Sequence, residues 1–330
     1  MKYAGLVPFV IGVAAGAAGC GGNQSVLNPK SDPAAELALL SWILFGLGAF
    51  VLLIVIVAIA LACVGTQAVR SALASHGMVI SGGIAFPVVV LTALLSYGVW
   101  LAGGSQARLK EATSLRIRIV GEQWWWRINY ETREGQSIAS ANELRIPVGR
   151  PTLLELASAD VIHSFWVPSL AGKLDMMPGR TTRLRLDANA SGIFRGQCAE
   201  YCGGPHALMA FEVVAMPPEE FDAWLESQAA PANDPSTPVT QRGRELFMSA
   251  GCGACHSIRG TEAVGTIGPD LTHLGSRRSV GVDTNRSSPE AIANFIREGQ
   301  HIKPGNPMPP YRIFTTDELS ALSIYLAGLK

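Results

Sequence analysis

The residues most able to do chemistry lie in CAEYCGGPHALM, residues 198–209. Cys198 and Cys202 flank Glu200, and His206 and Met209 follow. Three chemistries fit such a loop: a disulfide, a tetrahedral zinc site from Cys198, Cys202 and His206, or a softer metal. Two features oppose the first two. Met209 adds a thioether, and thiolate, imidazole and thioether together form a soft set that suits copper. VIHSFWVPS, residues 161–169, places another histidine, His163, at a strand end well upstream of Cys198. With two cysteines, two coppers could be bridged by both thiolates.

A second constellation is CGACH at 252–256, which fits C-x-x-C-H. Cys252 and Cys255 would form thioether links to haem vinyl groups, and His256 would be the proximal iron ligand. A redox C-x-x-C is the other reading. That motif usually opens a helix within a βαβ pattern, and no such pattern surrounds it here. Met308, in the proline-stiffened NPMPPY, is the candidate sixth ligand, and a His/Met pair raises the reduction potential. Met248 precedes the haem motif on a helix and reads as core. His273 and His301 read as surface or structural residues.

The elements that must carry these residues differ along the chain. Of 330 residues only 16% are charged, with 26 basic and 26 acidic side chains. This balance gives no basic excess for nucleic acid, and the apolar surplus before residue 103 points to a membrane. Residues 1–20 have the form of a secretory signal. Their AAGC ending resembles a bacterial lipoprotein cleavage site, with Ala17 in place of the usual leucine. It implies a lipidated Cys20; the alternative is an ordinary signal with an incidental cysteine. Uncharged runs at 39–64 and 79–102, the second containing Pro87, predict two membrane spans within 36–104. Only Arg70 and His76 lie in the linker 65–78, so the charge bias for orientation is weak. An exported N-terminus, two spans and an exported C-terminal part form the consistent topology. Cys63, inside the first span, reads as packing.

Residues 105–228 predict a β-sandwich closed by a helix. RIRIV, ELRIPV, TLLELAS, TTRLRLDA and FEVVA are strand-like and separated by turn residues, and PPEEFDAWLESQ (217–228) is a short amphipathic helix. The proline-rich stretch 229–238 predicts a linker. Residues 239–330 carry helical patterns at 240–250, 288–298 and 315–328 and form a separate helical module.

The helical module resembles a class I cytochrome c, including GPDL at 268–271, where Pro269 supports the proximal histidine. The rest resembles cytochrome c oxidase subunit II. His163, C-x-E-x-C-x3-H-x2-M at 198–209, EQWWWRINY at 122–130 and VPSLAGKLDMMPGR at 167–180 carry that resemblance, together with the two spans. The fused cytochrome resembles the caa-type variant. The resemblance implies a two-helix transmembrane hairpin, an all-β cupredoxin-like copper A domain and an all-α cytochrome domain. It implies two coppers bridged by Cys198 and Cys202 and capped by His163 and His206, with Met209 and the Glu200 carbonyl as weaker ligands. It further implies a covalent haem c, an electron-input role for Trp124, and a magnesium shared with subunit I through the Glu200 side chain. Asp160 and Asp175 would support the ligands or an interface; Trp125 or Trp126 would pack in a strand.

The activity implied is electron delivery, in the inner membrane of a bacterium, with both domains on the periplasmic face. Electrons pass from a cytochrome bc complex or soluble cytochrome c, through haem c and copper, to haem a in subunit I. Oxygen is reduced there to water with proton pumping, and subunit III is a further partner. One departure concerns protons. Many relatives carry a glutamate early in the second span, whereas aligning on Pro87 places Ile80 there, and 76–86 holds no acid. Three other readings compete with this one. Nitrous oxide reductase needs a histidine-rich cluster that six histidines cannot supply. A copper-free quinol oxidase subunit is opposed by the intact ligand set. The third is a membrane-tethered copper/haem shuttle without an oxidase partner. Ten basic and eight acidic residues in 239–330 single out no donor.

Overall fold

The computed structural model describes residues 21–109, 115–132, 135–282 and 285–330; the signal-like segment with Cys20 lies outside them. The chain divides into two compact units, Ala35–Glu111 and the remainder.

Long apolar runs make the helices of the first unit. Helix α1 spans Asp32–Val64. Thr66 and Ser75 hydroxyls then cap α2 (Gln67–Leu73) and α3 (His76–Ile80), so the expected linker is itself largely helical. A π-helical turn, Ser81–Ala85, leads into α4 (Phe86–Leu109). Pro87 lacks an N–H, and the widened turn just before it is where that break in the ladder falls. Two helices, Asp32–Val64 and His76–Gly104, are long and apolar enough to cross a membrane. Their apolar side chains face outward all round, as with Leu52 and Leu95, which suits lipid rather than a soluble core.

Alternation builds the sandwich. In β1 (Leu115–Glu122), Leu115, Ile117 and Ile119 are buried while Arg116 and Arg118 are exposed. The other strands are β2 (Trp125–Glu131), β3 (Ser137–Ala141), β4 (Glu143–Pro147), β5 (Thr152–Ser158), β6 (His163–Trp166), β7 (Leu174–Met176), β8 (Thr182–Leu186), β9 (Gly192–Cys198) and β10 (Ala210–Met216). They form two five-stranded sheets, ordered β3-β2-β1-β5-β8 and β4-β10-β9-β6-β7. Between the sheets, Trp126, Phe165 and Phe211 pack with ring centroids 4.9–5.8 Å apart. Helix α5 (Pro218–Ala229) covers one side, inserting Phe221 and laying Trp224 on Tyr130.

The helical module follows. Helix α6 spans Pro238–Ser249, α7 Pro289–Ile302 and α8 Thr316–Ala327. Helices α6 and α8 cross at Gly243, where an added Cβ would lie 2.3 Å from the Ala321 carbonyl. Only glycine permits that approach. The stretch expected as a linker is bonded to this module. Ala232 N donates to Arg259 O, and Arg259 reaches Gln228 O at 2.6 Å.

Candidate metal and haem centres

Strand order gathers the soft ligands. Strand β9 runs between β10 and β6, and its last residue, Cys198, pairs with Phe165 on β6. Beyond the ladder, Cys198 N donates to Met209 O and Ala199 N to Ser164 O, each at 2.9 Å. Cys198 is therefore held between the strand carrying His163 and the residue Met209. The intervening turn brings Cys202 and His206 back to the same end.

The resulting distances are short. Cys198 Sγ lies 3.8 Å from His163 Nδ1 and 3.1 Å from Glu200 O. Cys202 Sγ lies 3.3 Å from His206 Nδ1 and 3.7 Å from Met209 Sδ. His163, Cys198 and Cys202 are buried, with their ligating atoms all within 4.8 Å of one another. No disulfide joins the two cysteines. The hydrogen bond from Cys202, aided by those from His163 and from the backbone at Glu200 and Ser164, brings the Cys198 thiol down to about 4 against its burial. The same bond, with burial, pushes Cys202 up. Burial pushes His163 down, but its bonds to Cys198 and Asp160 outweigh that and the net shift is upward. Two thiols and an imidazole crowded this closely are the kind of donor set from which a soft metal displaces protons. These residues fit copper.

Neighbouring groups fix the ligands. Asp160 Oδ1 sits 2.7 Å from His163 Nε2, which leaves Nδ1 toward the sulfurs, and Asp160 Oδ2 accepts from Gln123 N. Gly121 leaves room for the His163 ring, since a Cβ there would come within 2.8 Å of it. Tyr201, largely exposed, meets His206 edge-on at 5.7 Å. Asp175 accepts from Ser164 Oγ at 2.8 Å, and that bond and Lys173 hold its carboxyl below the usual range. The Glu200 carboxylate turns outward, with Lys173 Nζ 3.9 Å from it and 3.2 Å from Asp175.

Of the tryptophan run, Trp126 is the packed one, at 1% exposure. Trp125 carries Arg127 over its ring at 4.6 Å. Trp124 is half-buried and its Nε1 donates to Cys202 O at 2.9 Å, so its indole rests on the 198–209 loop.

In the helical module, Gly251, at φ +77°, ends the turn after α6 and starts the short helix Cys252–Ala254. His256 Nδ1 lies 2.8 Å from Pro269 O, which frees Nε2 for iron. Gly268 packs on that ring, and a Cβ would lie 2.5 Å from it. Burial pushes His256 down, toward the neutral form a metal requires, and pushes the Cys252 thiol up to about 11. Met308, Tyr311 and Cys252 pack around one apolar cluster with Phe247 and Leu271. Gln300 Nε2 donates to Asn306 O and Met308 O, and Met308 N donates to Asn306 Oδ1, so the Met308 loop is clamped. The set fits a haem. Met248 also packs on this cluster, His273 is buried against Ala230 O at 3.2 Å, and His301 is exposed.

Residues 115–216 match the family described as cytochrome c oxidase subunit II, periplasmic domain, and residues 240–330 match cytochrome c. The chain joins a subunit II domain to a cytochrome c domain. The subunit II domain implies copper, and the cytochrome domain implies haem. Cytochrome c oxidase subunit 2 of Alkalihalophilus pseudofirmus is 38% identical over 216 residues, 65% of this chain and 61% of that protein. The Bacillus subtilis protein of the same name is 31% identical over 232 residues, 67% and 64% of the two chains. The chain therefore spans somewhat less than two thirds of these relatives. Among solved structures, the periplasmic domain of cytochrome oxidase subunit II of Bradyrhizobium japonicum is 30% identical. It covers 35% of this chain and 94% of that one, with a TM-score of 0.33.

Proposed function

We propose that this chain is the electron-input subunit of a haem–copper terminal oxidase. The observation that carries the reading is the convergence of His163, Cys198, Glu200 O, Cys202, His206 and Met209 at one end of a rigid sandwich. Cys198, Cys202, His163, His206, Met209 and Glu200 O would together hold a pair of copper ions. Cys252 and Cys255 would attach a covalent haem c, and His256 and Met308 would hold its iron. Bound there, copper and haem supply one-electron redox chemistry. This chain's residues hold the ligands. Asp160 and Pro269 each accept from one imidazole nitrogen and so present the other. The buried sandwich keeps the ligand set from shifting when its charge changes, which keeps reorganisation small. Trp124 marks the side on which electrons arrive.

The electrons pass on to haem a in subunit I, where oxygen is reduced to water with proton pumping. Subunit III and an upstream cytochrome bc complex or soluble cytochrome c are the further partners. Helices α1 and α4 anchor the chain in a bacterial inner membrane, with both domains on the periplasmic face and Cys20 lipidated. Glu200 contributes a carboxylate to magnesium only together with ligands from subunit I. Purification of the complex from its native membrane tests this: haem a co-purifies, and a near-infrared copper band accompanies the haem c bands. Isolation of a chain with both centres but no haem a would favour a tethered shuttle, and lack of either band would end the reading.

A further inference from the structure

Lys303 follows α7 and is 4% exposed. Burying an ammonium is costly unless its donors are used. Its Nζ donates to two carbonyls in two different domains: Trp124 O of the sandwich and Gly281 O of the cytochrome, each at 2.7 Å. Two residues on, Gly305 lies against the Trp124 ring, where a Cβ would sit 3.4 Å from Cη2. The other edge of that indole is bonded to Cys202 O. The loop after Gly305 runs directly to Met308 and is clamped by Gln300. One indole is thus gripped by the copper loop on one side and by the loop of the candidate haem ligand on the other. One ion pair and two further hydrogen bonds also join the two domains. Arg278 Nε meets Glu212 at 2.7 Å, its backbone N donates to Glu143, and Arg127 donates to Thr266 O at 2.9 Å.

We propose that Lys303 is a positioning residue that latches the cytochrome domain onto Trp124 and so sets the contact crossed by each electron. This rests on the electron-input reading above. In that step one electron leaves ferrous haem, which becomes ferric, and enters the oxidised copper pair. A cation suits the task because one ammonium donates to two carbonyls at once, whereas an apolar residue would take this donor from both.

The test uses the full-length chain loaded with copper and haem. Lys303→Met keeps the stem and removes the donors; Lys303→Arg keeps the charge. Hydroxyl-radical labelling of Trp124 reads the contact, with buried Trp126 as the control for folding. In Lys303→Met, Trp124 labelling rises severalfold while Trp126 stays protected and both absorption bands are retained. Haem-to-copper transfer after photoreduction slows by about tenfold or more, as small misplacements of reacting groups can cause. Lys303→Arg recovers most of both. Unchanged labelling and transfer in Lys303→Met would overturn the latch while leaving the electron-input reading intact. Absence of haem-to-copper transfer in the unmodified chain would sink that reading itself. The unmodified chain gives an independent check, because Trp124 should react more slowly than exposed Tyr201. Equal reactivity of the two would show an open contact and overturn the latch.

Discussion

Asp160 and Pro269 do one job for two imidazoles by opposite geometry. The carboxylate takes His163 Nε2 and leaves Nδ1 for metal; the carbonyl takes His256 Nδ1 and leaves Nε2. Asp160→Asn should therefore weaken copper affinity by about 10- to 100-fold, the usual cost of losing such a partner, in competition titrations against a chelator. Unchanged affinity would show that the sandwich alone orients His163. His206→Asn should remove the near-infrared copper band and stop electrons leaving the cytochrome, while the haem stays reducible. Turnover with the natural donor surviving that change would contradict the pathway. Met308→His should lower the haem potential by on the order of 0.1 V or more within the roughly 0.8 V that axial ligands span. The candidate ligands could be picked out in the sequence because their chemistry lies in residue type and spacing. Asp160 was only half legible, since an aspartate's partner depends on the turn that folds it back. Lys303 was not legible at all: a lone lysine in GQHIKPGN looks like any surface charge.

Helix ends and crossings decide the stability of the cytochrome domain. Gly243→Ala would drive a methyl into the Ala321 carbonyl, forcing α6 and α8 apart at roughly 1–3 kcal/mol, readable by denaturant unfolding followed in the haem band. At the start of α8 the Glu318 carboxylate accepts from Thr315 N and Oγ1, bonds that hold it below its ordinary value near 4.5. A depressed carboxylate stabilises the fold above its unfolded value, and that contribution is lost as pH falls through the folded one. Glu318→Gln should lower stability at neutral pH, and the gap to the unmodified chain should narrow as pH drops below 4.5. A gap that stayed constant would contradict the capping role. Strands such as β1 and β10 could be read from alternation. Strand β9, GIFRGQC, could not, because its two glycines suppress strand propensity and only pairing between β6 and β10 makes it a strand. The short helices between the membrane runs were hidden for a similar reason: their caps, Thr66 and Ser75, sit in what reads as a polar linker.

At the scale of the whole chain, abrupt changes of composition made the order of parts visible: uncharged runs, then alternating strands, then helices around CGACH. What joins sandwich to cytochrome was not visible, because Arg127, Glu143, Glu212, Arg278 and Lys303 are scattered over 177 positions and meet only in the fold. Their meeting joins two domains that composition alone presents as independent, as the proposed relay requires. An anaerobic reductive titration of the purified, copper-loaded full-length chain tests that relay most directly. One electron held by the haem and one shared over the copper pair predict uptake of about two electron equivalents, with the haem and near-infrared bands both responding. Uptake of a single equivalent, with only the haem band changing, would contradict it.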